Sequence, residues 1–317
     1  MEGDDKVSRS LVECVPNFSE GRDLGAIDAI ENVIRSVPGS TVLDRTSDPD
    51  HNRSVITFAG SPDAVLESAV RAAAVSAERI DLTKQTGVHP RIGAMDVLPF
   101  VPLNSASLSQ CVQLAHEAGQ RIWDELHIPV YFYEAAALRP ERQRLENVRR
   151  GEFETLRSGG TKSSGGAQQD DKRPDIGGPT FHPTAGAVVV GARKILIAFN
   201  VNLKTADLSI AKSIARRIRA SSGGFPAVKA LGLPLASRGL VQVSMNLTDF
   251  EQTPPRLVFA EIARMAGEAG VQIAASELIG LIPESALENT SPEELQLRDF
   301  NPNRILENRL RSAGLSC

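Results

Sequence analysis

Of the five histidines in this 317-residue chain, His89 has the surroundings best suited to moving a proton. It lies in GVHPRIGAMD, a loop flanked by glycine and proline and leading into an apolar run. Pro90 fixes the direction of the backbone and Arg91 places a positive charge beside the ring. An imidazole with a reference pKa near 6.5, held on such a loop, can give and take a proton near neutrality. The plain alternative is that the ring only hydrogen-bonds its own loop. His51 lies in DPDHNR, after Asp48 and Asp50. Carboxylates and an imidazole can ligate a cation, but Asp before Pro starts turns and Asp side chains cap nearby backbone. The turn is therefore the preferred reading and no metal is expected. Both acids can still orient or polarise a nearby histidine.

The other candidates are weaker. His116 and His127 fall in or beside a predicted helix and read as structural. His182 belongs to a Gly/Pro-rich stretch, GGPTFHPTAG, at residues 177–186. That stretch lacks the Lys-Ser/Thr ending of a phosphate loop and is not G-x-G-x-x-G between a strand and a helix, so nucleotide binding is poorly supported. Its glycines can still let backbone approach a flat ligand; composition alone reads it as a linker. No G-x-S-x-G element is present. Cys14 follows an acid within an apolar strand and reads as buried and inert.

The elements that must hold these residues follow from periodicity. Residues 11–16 form an apolar strand. Ile27, Ile30, Ile34 and Val37 then mark one face of a helix, which Pro38-Gly39 ends. Strands are expected at 40–44 and 53–59, separated by the polar loop that carries His51. Ser61-Pro62-Asp63 opens a helix running to about residue 80. A strand at 95–101, a helix at 108–126, a strand at 130–133 and a charged helical stretch at 141–157 follow. Residues 158–180 are dominated by Gly, Ser and Asp, and the domain boundary is placed there, giving units 1–180 and 181–317. In the second half the pattern predicts a strand at 194–203, a helix with Ile210, Ile214 and Ile218, strands at 228–233 and 240–247, a helix at 256–269 and a strand at 271–275. Both halves repeat strand, helix, strand, strand, helix, strand. The expected class is α+β, two ferredoxin-like (split βαβ) units with the helices of each on one face of a mostly antiparallel sheet. A doubly wound parallel sheet is the rival.

Composition narrows the function. Apolar residues make up 41 % and charged residues 23 %, enough for a real core; aromatics at 4 % favour helices packed on sheets over a β-sandwich. The net charge of −4, without a basic stripe, argues against nucleic acid. Three separated cysteines (Cys14, Cys111 and Cys317) with no C-x-x-C pair favour a reducing compartment. The polar, acidic start does not read as a signal peptide, and no apolar run reaches the ~18 residues of a membrane span. A cytoplasmic protein without membrane association is expected, and assembly into a homodimer is left open.

Four segments, taken in order, resemble the glutamate formimidoyltransferase family: VECVPNFSEGRD, DPDHNRSVITF, GVHPRIGAMDVLPFVP and GARKILIAFNVNL. In animals this family forms the N-terminal half of formiminotransferase-cyclodeaminase. The resemblance runs from about residue 11 to near 290 and implies two ferredoxin-like units. It also implies a reaction in histidine breakdown and one-carbon metabolism: N-formimino-L-glutamate and tetrahydrofolate give 5-formimino-tetrahydrofolate and L-glutamate. His89 corresponds to the family's catalytic histidine in H-P-R-x-G-A-x-D. The folate-contacting segment corresponds to Gly177, Gly178, Pro179, Thr180, Phe181, His182, Pro183, Thr184, Ala185 and Gly186. Tetrahydrofolate is thus a co-substrate and no metal is required. The cyclodeaminase activity is expected to be missing, since the sequence ends near where that domain begins in the animal proteins.

The implied chemistry assigns further roles. N5 of the reduced folate attacks the amidine carbon, and the glutamate nitrogen leaves well only if protonated, which His89 can do before taking a proton from N5. The two carboxylates of glutamate call for guanidinium forks, for which Arg53 and Arg91 are candidates. Asp48, Asp50, His51, Asn17, Asn200 and Asn202 are candidates for holding polar groups of the substrates. His89, Asp48, Asp50 and residues 177–186 are expected to converge on one cleft between the units. Two alternatives stay open: formyl exchange between 5-formyl-tetrahydrofolate and glutamate at the same site, and a non-catalytic folate-binding protein.

Overall fold

A computed structural model describes residues 10–87, 90–157, 172–178 and 180–315. His89, Pro179 and Cys317 lie outside the described residues, as does most of the stretch 158–173. The chain divides into two compact units, Met1–Arg193 and Lys194–Cys317.

Among its described residues the first unit holds seven strands and five α-helices. The strands are β1 (Leu11–Cys14), β2 (Asn17–Phe18), β3 (Ser40–Asp48), β4 (Arg53–Gly60), β5 (Met95–Leu103), β6 (Val130–Glu134) and β7 (Val188–Ala192). The helices are α1 (Leu24–Arg35), α2 (Pro62–Arg79), α3 (Leu108–Leu126) and two short ones, α4 (Leu145–Val148) and α5 (Glu152–Arg157). β1 and β2 are successive stretches of one strand, each paired antiparallel with β4 on one side and β5 on the other, and β3 pairs with β4. The order β3-β4-β1/β2-β5 is the ferredoxin-like order. β7 then extends it in parallel with β5, and β6 lies parallel beyond β7.

Helix boundaries follow the expected chemistry. Ser61 and Asp23 accept capping hydrogen bonds from Ala64 and Ala26, and Ser107 forms a capping box with Gln110. α1, α2 and α3 bury Ile27, Ile30, Ile34, Val65, Ala69, Leu114 and Ile122 against Val12, Ile56, Phe58, Leu98, Phe100 and Phe132 of the strands. Because side chains alternate along a strand, Asn17, Arg53 and Val97 belong to the sheet's other face. A smaller cluster of Ile92, Val97, Tyr131, Tyr133, Val148 and Val189 sits on that face.

The second unit is a four-stranded antiparallel sheet in the order β11-β8-β10-β9, formed by β8 (Ile197–Leu203), β9 (Val228–Leu235), β10 (Leu240–Leu247) and β11 (Ile273–Ile279). α6 (Leu208–Ile218) and α7 (Pro255–Glu268) bury Ile214, Ile218, Val258 and Ile262 against Phe199, Val201, Val243 and Met245; a short α8 (Leu306–Ser312) lies near the end of the chain. This is the split βαβ topology read from the sequence.

Several local expectations differ from the structure. β3 runs on to Asp48 through the first half of the expected polar loop, and β11 spans Ile273–Ile279 rather than 271–275. The run Val188-Val189-Val190 is a strand that the periodicity reading passed over. It belongs to the first sheet, so the compact first unit extends past the expected division at 180/181 to Arg193. The charged stretch 141–157 is not one helix but a 3₁₀ turn and two short helices, broken around Gly151 at φ +104°. β8 begins at Ile197 rather than at residue 194.

Candidate active site

The loop that carries His89 is pinned at both ends. Glu20 is almost fully buried, and its Oε1 accepts hydrogen bonds from the backbone N–H groups of Gly21, Arg22 and Asp23 at 3.0, 2.7 and 2.8 Å. Its second oxygen accepts from Gln85 Nε2. The Gln85 side-chain oxygen in turn accepts from Asn52 Nδ2, which also reaches Thr86 O at 3.1 Å. Asn52 Oδ1 accepts from Gly21 N at 2.9 Å, closing the ring of contacts. Gly87 then lies against the β3–β4 turn so closely that a Cβ there would sit 2.6 Å from His51 O. On the far side, Arg91 donates to Gln85 O at 2.6 Å and to Glu154 at 3.0 Å. The expected substrate role of Arg91 therefore stands beside a clear structural one: its guanidinium straps the two ends of the loop together.

The β3–β4 turn brings the predicted acids to the same place. Asp48 Oδ2 faces His51 Nδ1 at 3.3 Å, and Asp48 Oδ1 accepts from His51 N at 2.9 Å. Burial alone would raise the Asp48 carboxyl, but the hydrogen bonds and charge of His51, with the backbone N–H of Asp50, outweigh it and hold the group at about 2. Asp50 is half-buried in the same turn.

Beside the loop two guanidiniums converge on one carboxylate. Arg53 Nη2 lies 3.0 Å from Asp96 Oδ2, Arg149 Nη2 binds the same oxygen, and Asp96 is fully buried. Asp96 Oδ1 accepts from Ile92 N at 2.9 Å, which turns the chain into β5. Arg53 Nε donates to Asn17 Oδ1 at 3.0 Å. Burial pulls the Arg53 guanidinium down to about 10; Asp96 opposes this and Arg149 adds to it. Arg53 thus stays charged at neutral pH, and this trio carries an excess of one positive charge. Arg149 Nε is buried without a hydrogen-bond partner. Such a group suits an anion that can accept from a guanidinium fork.

The loop 177–186 closes the arrangement. Thr184 O accepts from Leu82 N, Ala185 O from Ala94 N and Ile92 O from Ala187 N, at 2.9, 2.9 and 3.0 Å. Ser19 links the other way, through Oγ to Gly93 O at 2.7 Å and N to Ala94 O at 2.9 Å. Gly186, at φ +73°, has Ile92 O only 2.1 Å from where a Cβ would be. His182 Nδ1 accepts from Ala185 N at 3.0 Å, so its proton sits on Nε2, and burial lowers its pKa. Phe181 packs edge-on to Tyr131, and Gly177, at φ +98°, lies against the Trp123 ring. Gly178 stands open beside it, and Thr180 and Pro183 are exposed.

Asn17, Asp48, Asp50, His51, Arg53, Arg91 and the loop 182–186 therefore share one network in the first unit. Asn200 and Asn202 stand on β8 of the second unit, both buried. Glu20, Asn52, Gln85, Asp96 and Arg149 were not foreseen. Asp96 closes the segment HPRIGAMD and was within reach as the acid that ends it; nothing in the charged stretch 141–157 singles out Arg149. Among the described residues no group of three or more His, Cys, Asp or Glu is arranged to hold a metal ion.

Two family profiles divide the chain near the division between the units. The formiminotransferase domain, N-terminal subdomain, matches residues 11–193, and the formiminotransferase domain matches residues 198–294. The chain belongs to the formiminotransferase family. Formiminotransferase relatives include the glutamate formimidoyltransferase of Streptococcus pyogenes, 44 % identical over 95 % of this chain and 98 % of that one. The glutamate formimidoyltransferase of Thermoplasma acidophilum is 42 % identical over 96 % and 99 %. The formimidoyltransferase-cyclodeaminase of Mus musculus is 43 % identical over 87 % of this chain but only 51 % of its own length, so the likeness to that longer protein is confined to its formiminotransferase half.

Proposed function

We propose that this chain is a glutamate formimidoyltransferase, moving the formimino group of N-formimino-L-glutamate to N5 of tetrahydrofolate and releasing L-glutamate. The observation that carries the reading is the likeness to proteins of that name over nearly the full length of both chains. The pinned loop supports a proton-transfer role for His89: its ends are fixed to Glu20 just after β2, the β3–β4 turn and α5, as a residue that must meet a reacting atom requires. In this reading His89 delivers a proton to the departing glutamate nitrogen and accepts one from N5. The Asp48 carboxylate, braced by His51, stands next to that loop. Arg53 and Arg149, with one positive charge in excess, hold a substrate carboxylate, and Asn17 keeps Arg53 oriented. The loop 177–186 lines the folate, with Gly178 leaving room for a flat ring. Cys14 and Cys111 are free and buried, which suits a reducing, cytoplasmic setting.

The test is turnover by the purified protein with formiminoglutamate, with and without tetrahydrofolate. Folate-dependent release of glutamate is expected. Release that ignores folate would replace transfer with hydrolysis, and no release under either condition would remove the activity.

A further inference from the structure

The formimino donor carries a cation as well as carboxylates. Its N-substituted amidine is protonated near neutrality, and this planar cation and the α-carboxylate are attached to the same carbon. A formyl group at that place is neutral and presents a carbonyl oxygen instead of an NH₂. A site that distinguishes the two needs a carboxylate free to accept.

Most acids around the His89 loop are already committed. Both oxygens of Asp48 engage His51. Asp96 is shared by Arg53, Arg149 and the N–H of Ile92. Glu20 takes three backbone N–H groups and Gln85. Both oxygens of Glu154 meet Arg91, at 3.0 and 3.5 Å. Asp44 and Asp50 have partners as well. Glu152 differs. Among the described residues its carboxylate takes part in no hydrogen bond or ion pair, and the residue is exposed.

Its place is nonetheless fixed. Glu152 N donates to Arg149 O at 3.0 Å, and Phe153 N donates to Arg91 O at 2.9 Å, with the Phe153 ring buried. Glu152 therefore stands between the arginine that binds Asp96 and a backbone bond to the residue two places after His89. Its φ is +52°, a conformation that residues other than glycine seldom adopt and that Asn adopts more readily than Glu. The side chain at this position is thus not the one its backbone would select, as happens where the side chain has work to do.

Charge points the same way. Partial burial, followed by the charge of Glu154, raises the Glu152 carboxyl; Arg91 lowers it, Asp96 adds to the rise and Arg149 opposes it. The carboxylate stands to gain from a cation placed against it. Arg149 supplies the complementary observation, since its Nε is buried without a hydrogen-bond partner. A donor for a carboxylate and an acceptor for a cation lie three residues apart, and the donor substrate carries both charges on one carbon.

Resting on the proposed transferase reading, we propose that Glu152 holds the protonated formimino group, its oxygens accepting from the amidinium N–H groups, while Arg149 takes the α-carboxylate, so that Glu152 selects a formimino over a formyl donor. Glu152 forms no bond with the substrate. By keeping the amidinium charged it leaves the carbon electrophilic for N5.

The test compares formiminoglutamate with N-formyl-L-glutamate, which keeps both carboxylates and loses the cation. Binding of each is measured by calorimetry without folate for the wild type, Glu152→Gln and Glu152→Asp, beside steady-state kinetics. The wild type should prefer the formimino ligand. Loss of a charged acceptor in Glu152→Gln should weaken that ligand by about ten- to a hundred-fold, leave N-formyl-L-glutamate unchanged and leave KM for tetrahydrofolate unchanged. Glu152→Asp, which keeps the charge, should recover part of the preference. Should Glu152→Gln fail to fold, Glu152→Asn removes the same charge and suits the left-handed backbone. A loss shared equally by both ligands overturns the proposal, because it marks a structural role. So does normal binding of formiminoglutamate by the variants, or a wild type that binds the two ligands alike. Folate-dependent turnover by the wild type is scored separately. Turnover without the preference removes only the role of Glu152, whereas the preference without turnover keeps the amidinium site and removes the transferase reading.

Discussion

Asp96→Asn is the most informative single change in the first unit. The side chain keeps its size but loses the charge that two guanidiniums share, Arg53 at 3.0 Å and Arg149 beside it. An amide at this position turns an NH₂ toward one or both cations or gives up the bond to Ile92 N. Asp96 is fully exposed to none of the solvent that could relieve this, at 0 % accessibility. Removing one partner of a buried ion pair typically costs about 3–5 kcal/mol, because the other partner is left buried and uncompensated. Against a usual total of about 5–15 kcal/mol that is a large fraction. With a slope of about 2–3 kcal/mol per molar, the urea midpoint of the first unit should fall by about 1–2.5 M. The chain's one tryptophan, Trp123 on α3 of the same unit, reports that transition by fluorescence. Adding Arg149→Met should restore part of the loss by removing the repulsion, and glutarate should stabilise Asp96→Asn more than the wild type. A midpoint within about 0.3 M of wild type would refute the argument, since it would mean that the two guanidiniums do not depend on this carboxylate.

Three further outcomes are expected. His89→Ala should lower turnover by about 10²–10⁴ while folate binding changes much less, measured by steady-state kinetics and equilibrium titration; near-normal turnover in a folded variant would make His51 the next candidate. Gly87→Ala places a methyl group 2.6 Å from the backbone oxygen of His51, so main chain must give way; it should cut kcat by about tenfold or more by shifting the His89 loop and lower the thermal midpoint as well; unaltered kcat would show that the loop tolerates the shift. Asp48 is held at about 2 against an ordinary 3.8, so it stabilises the fold above the ordinary value and loses that contribution as pH falls from about 4 toward 2. Asp48→Asn should therefore cost about 1 kcal/mol at neutral pH, discounted for partial exposure, and the gap to wild type in urea titrations should close in acid rather than in base.

Much of the architecture was legible because strands and helices announce their periods. The alternation in β8 and β10 and the isoleucines of α1 are strong enough that tertiary packing does not override them. β7 was missed because three valines between small residues carry no alternation; a strand buried on both faces gives a continuous apolar run that a short linker can also show. The breaks in residues 141–157 were missed because charge density resembles a solvated helix face, whereas Arg142 is buried and ion-paired with Asp175 at 2.5 Å. The His89 loop and the β3–β4 turn stood out through their own residue types. Their partners did not: Arg149 and Gln85 act through contacts across distant sequence, which local pattern does not encode.

The placement of β7 has a consequence for the order in which the molecule assembles. β5 and β6 follow each other in sequence but do not pair; the strand that joins them arrives only after the whole segment 135–187 has been laid down. Closing a loop of that length and inserting a parallel strand between two others are slow, non-local events. Arg149, Glu154 and the turn at His182 all ride on that segment. A chain that has already collapsed its ferredoxin-like portion would still lack half the groups around the His89 loop. Regain of activity on refolding should therefore lag behind regain of the helical signal, with the wedge strand as the closing step.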